Sequence, residues 1–173
     1  MGAVRGTERP KAGQGKPLYT ADQRARRDAT RWTTVQGALA PLQFAVFLVS
    51  LALIARFVVT GRGQETATIS IIVKTVVLYT IMITGAIWEK VVFGRYLFAE
   101  AFFWEDVCSM VVLALHSAYI FALVGGALDP RAQMAIALAA YAAYVINASQ
   151  FVLKLRAARL QSAGRLAPAE ARP

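Results

Sequence analysis

Apolar residues fall into four long blocks, over residues 33–56, 66–88, 107–128 and 132–153, and the charged side chains inside them are only Arg56 and Lys74. Each block has about 22 residues, roughly 33 Å as an α-helix, which crosses about 30 Å of hydrocarbon with some tilt. The pattern predicts an all-α polytopic membrane protein with four transmembrane helices. Gly61, Arg62 and Gly63 separate the first two blocks, and Gly125, Gly126, Asp129 and Pro130 the last two, with the composition of tight turns. The middle connection, 89–106, is longer, aromatic and charged. Pro41 marks a point where the first helix is expected to kink, which neighbouring helices tolerate in lipid. Ahead of the first block, Thr20 reads as the N-cap of a short surface helix. In the fourth, Ala135, Ala139 and Ala143 recur every four residues and predict a small-residue packing stripe, with Tyr141 and Tyr144 projecting elsewhere.

Composition supports this reading: 57% of residues are hydrophobic and 17% charged, where a soluble domain carries about 25% charge. Four spans use up most of 173 residues and leave no room for a second domain. Residues 1–17 are basic, rich in Gly and Pro and poor in large apolar groups, so they read as a disordered tail. The transmembrane domain is expected over 18–160 and a flexible tail over 161–173. The first apolar block is too long for a cleavable signal and reads as an uncleaved anchor.

The formal net charge of +9 is unevenly placed. Eight Lys/Arg precede the first span, two (Lys90, Arg95) lie in the middle connection and five (Lys154, Arg156, Arg159, Arg165, Arg172) follow the fourth, against three (Arg56, Arg62, Arg131) on the other side. That distribution predicts cytoplasmic termini and a cytoplasmic middle connection. It also explains the basic balance without nucleic acid, which would need a basic folded face with interleaved aromatics.

One Cys and one His exclude structural zinc, cysteine-ligated iron–sulfur clusters and di-iron sites, each of which needs several ligands from one chain. Cys108 has no partner for an internal disulfide. No Gly-rich strand-to-helix turn is present to cradle a nucleotide, so no cofactor is expected. Chemistry concentrates in the middle connection, where the carboxylates Glu89, Glu105 and Asp106 stand among Trp88, Lys90, Arg95, Tyr96 and Trp104. An aromatic belt with solvated charges is one reading of this stretch. The density of rings instead suits a segment roofing a flat apolar ligand. His116 lies within the third span, on the face of Glu105 and Ser109, about 16 Å from Glu105 along the axis. Ser109 and His116, about 10 Å apart, cannot form a nucleophilic pair. An axial ligand to a porphyrin-type metal, a proton carrier and a core His bonded to a neighbouring helix remain open.

The runs Arg26-Arg-Asp-Ala-Thr-Arg-Trp-Thr, Gln36-Gly-Ala-Leu-Ala-Pro-Leu-Gln-Phe, Trp88-Glu-Lys-Val-Val-Phe-Gly-Arg-Tyr-Leu-Phe-Ala and Phe102-Phe-Trp-Glu-Asp-Val resemble the 3-vinyl (older name 2-vinyl) bacteriochlorophyllide hydratases of anoxygenic phototrophs. The likeness runs over about 18–160 and is most specific over 88–106. It implies hydration of the C3 vinyl group of chlorophyllide a, or of 3-vinyl bacteriochlorophyllide a, to a 1-hydroxyethyl group in bacteriochlorophyll a synthesis. It further implies an inner (intracytoplasmic) membrane, a tetrapyrrole substrate, neighbouring enzymes of the same synthesis as partners, and magnesium only within the substrate. Such a reaction needs a positioned acid, a base for water and a dry flat pocket. Glu89, Glu105 and Asp106 are the candidates for acid and base, with Glu105 and Glu89 ahead of Asp106. His116 is a candidate ligand to the substrate magnesium, Lys90 or Arg95 to its propionate, and Trp88, Tyr96 and Trp104 to its ring. A non-catalytic pigment carrier or photosystem assembly factor is the rival reading, and would not need paired carboxylates.

Overall fold

The structure, a computed structural model, describes residues 18–126 and 128–166, with side chains up to residue 160. The tail expected over 1–17, and the part of the expected 161–173 tail beyond 166, lie outside the described residues. Among the described residues there are five helices and no strand: α1 (Ala21–Ala29), α2 (Arg31–Thr60), α3 (Gln64–Phe93), α4 (Phe103–Gly125) and α5 (Pro130–Leu166). The last four are long and apolar enough to cross a membrane. They pair most closely as two antiparallel hairpins, α2–α3 and α4–α5, which meet across a seam.

Local sequence explains where the helices begin and end. Thr20 caps α1 through a capping box: its Oγ1 accepts from the Gln23 N–H at 3.2 Å while Gln23 Oε1 accepts from the Thr20 N–H at 2.9 Å. Gly61 ends α2 in the left-handed region at φ 69, and its N–H donates to Phe57 O at 2.8 Å. Asp129 Oδ1 accepts from the N–H groups of Arg131 and Ala132 at 2.9 and 3.1 Å, with Pro130 as the first residue of α5. Pro41 sits on an exposed face, and α2 continues through it as one helix.

The helices overrun the apolar blocks. At 30 residues each, α2 and α3 are about 45 Å long, well beyond the hydrocarbon thickness of about 30 Å. Helix α3 therefore carries Glu89 and Lys90 within its last turns and stops only at Gly94, whose φ of 84 a side chain would resist. The middle connection shrinks to residues 94–102. Helix α5 likewise runs past residue 160, where a flexible tail was expected to begin.

Core packing corrects the expected face of α5. Ala137, Ala140, Tyr141 and Tyr144 are buried, whereas Ala135 and Ala139 are exposed. The tyrosines win the inner face because both rings, and the Tyr141 hydroxyl, have partners there. Tyr141 Oη lies 2.6 Å from Ser50 Oγ, and both rings pack on Phe47 with centroids at 5.4 and 5.0 Å. Val59, Phe121 and Val124, all more than three-quarters exposed, face outward as lipid-facing residues do.

Candidate active site

The end of the bundle that carries α1 also carries most of the expected site residues. Glu89, in the penultimate turn of α3, and Asp106, in the first turn of α4, are both buried, and their carboxyl groups face each other. Two carboxyl groups facing each other in a buried site do not both ionise readily, so one keeps its proton. The connection folds inward over them, so that the Phe98 N–H donates to Asp106 Oδ2 at 2.7 Å and the Ala99 N–H to Glu89 Oε2 at 3.4 Å. These successive N–H groups each hold one oxygen of the pair in place. For this Phe98 adopts φ 59, the only positive φ of a non-glycine among the described residues, at a cost of about 1–3 kcal/mol.

Geometry distinguishes the two carboxyls. Asp106 accepts the shorter backbone bond and stands at a helix N-terminus, where negative charge is favoured; Glu89 accepts the longer one near a helix C-terminus, where it is disfavoured. The shared proton therefore belongs on Glu89 and the charge on Asp106. Glu105, next in sequence to Asp106, is committed elsewhere, to a salt bridge with Lys154 of α5.

Aromatic packing closes the space beside this pair. Tyr19 stacks on Phe93 at 5.8 Å, while Trp88 meets Phe93 and Phe102 edge-on at 5.7 Å and donates its indole N–H to Thr33 Oγ1 at 3.0 Å. Burial pushes the Tyr19 phenol above its usual value, against the opposing pull of Arg27. Helix α1 is held on by Arg26, whose Nε donates to Val92 O at 3.0 Å. Between the start of α1 and the connection lies a cavity of about 540 Å³, bordered by Leu18, Gln23, Phe93, Arg95, Ala99 and Lys154. Its size suits a small-molecule ligand, and Ala99 on its wall is the residue whose N–H holds Glu89.

Of the expected site residues, Glu89 and Asp106 are joined, Glu105 is one residue away in an ion pair, and Arg95 borders the cavity. Lys90 Nζ donates to Gly94 O at 3.0 Å and sits 5.3 Å from the Tyr96 ring, so it secures the turn. Trp88 is engaged in packing, and Tyr96 and Trp104 are 60% and 70% exposed on the outside. His116 is not brought to the pair. It is fully buried in the bundle, ten residues from Asp106 and so about 15 Å away along α4. Lys154, the Phe98 and Ala99 N–H groups and the α1 wall were not foreseen. Lys154 had counted only as a topology-setting charge, though a buried Glu105 calls for such a partner.

A family model described as 2-vinyl bacteriochlorophyllide hydratase matches residues 19–157. The 2-vinyl bacteriochlorophyllide hydratase of Rhodobacter capsulatus is 68% identical over 148 residues, covering 86% of both chains. That of Cereibacter sphaeroides is 67% identical over 144 residues, covering 83% of this chain and 89% of its own. No solved structure matches.

Proposed function

The chain belongs to the 2-vinyl bacteriochlorophyllide hydratase family, and from that premise we propose that it performs its hydration with the Glu89–Asp106 pair. It is a hydro-lyase of bacteriochlorophyll synthesis that adds water across a vinyl group. The substrate in this reading is chlorophyllide a or 3-vinyl bacteriochlorophyllide a, carrying its own magnesium, and the product is the 3-(1-hydroxyethyl) pigment. Glu89 gives its proton to the terminal vinyl carbon, which becomes a methyl group and leaves a cation on the carbon next to the macrocycle. Water attacks that cation and loses a proton to the Asp106 carboxylate. Transfer of that proton to Glu89 restores the pair. Atoms balance with water as the sole co-reactant, so no cofactor is required.

The observation that carries this assignment is the two buried carboxyl groups held side by side beneath the Phe98 and Ala99 N–H groups. Arg95 borders the cavity, and in this reading it pairs with the propionate of the unesterified pigment. His116 is assigned no ligand role in this arrangement. A metal-to-vinyl reach of some 7 or 8 Å falls short of the roughly 15 Å that separates His116 from Asp106. The site lies at the cytoplasmic face of an inner (intracytoplasmic) membrane, where neighbouring enzymes of the same synthesis deliver and collect pigment.

Purified protein incubated with chlorophyllide a, without nucleotide or flavin, should yield a product heavier by one water with a blue-shifted red band. Glu89→Gln and Asp106→Asn should each lower turnover by about 10²-fold or more while pigment binding persists. Near wild-type turnover in both variants would remove the pair from the chemistry, and dependence on a nicotinamide or flavin would overturn the cofactor-free reaction.

A further inference from the structure

The seam between the two hairpins holds polar groups that the acid–base site does not use. Lys74 of α3 is fully buried, and its Nζ sits 3.8 Å from the centroid of the Tyr144 ring and 5.7 Å from that of Tyr141, with no hydrogen-bond partner among the described residues. His116 of α4 is fully buried too, its ring stacked on Tyr141 at 5.8 Å. Helix α2 adds Gln43, 2% exposed, with neither amide atom partnered, and α5 adds Asn147, whose Nδ2 donates to Ser109 Oγ at 2.8 Å while its Oδ1 is unpartnered. The Tyr141 hydroxyl is already taken by Ser50, itself 2.7 Å from Ser70.

No described carboxylate answers Lys74 along its own helix. Glu65 is nine residues away and Glu89 fifteen, or about 13 and 22 Å of rise. The His116 tautomer follows from its partner. Nδ1 lies 2.8 Å from Val112 O, and a carbonyl only accepts, so Nδ1 carries the hydrogen and Nε2 of the neutral ring presents a lone pair. That Nε2 is buried, and no described residue offers it a hydrogen bond.

The unpartnered set is therefore mixed. Lys74 only donates, Nε2 only accepts, and Gln43 does both. An anion would satisfy the lysine and repel the lone pair; a cation would do the reverse. Water serves both, and a buried water typically takes about three such partners. Polar groups kept inside a membrane bundle mark function more often than packing.

We infer that the seam is a water-binding site in which water bridges Lys74 Nζ to His116 Nε2, with Gln43 and Asn147 extending the polar track toward Ser109, three residues from Asp106. The experiment is water-edited solid-state NMR of the full chain in liposomes, with ¹⁵N in histidine and lysine. His116 is the only histidine, so its ring signals assign themselves, and Lys74→Met identifies the Nζ signal by its loss. Polarisation should pass from water to His116 Nε2 and Lys74 Nζ as fast as to Lys154, which is partly exposed at the bundle end. Transfer as slow as to the lipid-facing Val124, observed with labelled valine, would overturn the proposal. So would ring shifts that follow exchange of chloride for a larger halide at fixed ionic strength, which would give the site to an anion. The His116 signals of the wild-type protein, which need no variant for assignment, decide even if Lys74→Met fails to fold.

Discussion

Glu105 and Asp106 are neighbours in sequence with different work, and the difference lies in what each side chain meets. Asp106 faces Glu89 under the Phe98 N–H, whereas Glu105 turns to Lys154, with the carboxylate side chain 9% exposed and the lysine 27%. Removing one member of a part-buried pair strands the other, which costs more than the pair itself contributes. Glu105→Gln is therefore expected to lower the thermal midpoint yet reduce turnover less than tenfold, while Asp106→Asn loses about 10²-fold. A stability double-mutant cycle with Lys154→Met should show a coupling of about 1 kcal/mol. A Glu105→Gln variant as inactive as Asp106→Asn, with unchanged stability, would return Glu105 to the chemistry.

At the level of helices and turns, Gly94 decides whether the site forms. It stops α3 at φ 84 and lets the connection fold back, and nothing crowds the position a Cβ would take, so an Ala there meets only backbone strain. Gly94→Ala should cost about 1–2 kcal/mol, read as a lower thermal midpoint, and reduce turnover further by loosening the Phe98 and Ala99 N–H groups. Gly37→Ala, inside α2 with open space around it, should be neutral or stabilising by about 0.5–1 kcal/mol. Equal losses in both variants would show that the effect is not the left-handed cap. Four spans, the Thr20 cap and the two tight turns were legible because hydropathy and capping are local signals. The end of α3 was not, since hydropathy marks where hydrocarbon stops and a helix stops only where its backbone is turned. Nor was the inner face of α5, where alanine spacing suggested one stripe and the partners of Tyr141 and Tyr144 selected another. The joining of Glu89 to Asp106 is tertiary and carries no sequence period at all.

For the whole molecule, the four-helix bundle places α1, the connection 94–102 and the C-terminal part of α5 at one end, and the turns at Gly61–Gly63 and Asp129–Pro130 at the other. Among the described residues charge follows this division: Arg24, Arg26, Arg27, Arg31, Lys90, Arg95, Lys154, Arg156 and Arg159 stand at the first end against Arg56, Arg62 and Arg131 at the second. Lysine and arginine near span ends are retained on the cytoplasmic side, so the cavity, and the bundle end that carries the carboxyl pair, should face the cytoplasm. In the proposed reading, a substrate with an apolar macrocycle and a charged propionate binds at that boundary, with Phe93 and Arg95 on the cavity wall as the groups expected to meet its ring and its carboxylate. Reporter fusions test the arrangement without any assay of turnover. A phosphatase joined after residue 64 should be active in the periplasm and one joined after residue 160 silent, with a fluorescent reporter giving the opposite pattern. Both fusions reporting the same side would break the four-span topology, and an inverted pattern would place the site on the periplasmic face, away from a cytoplasmic pigment supply.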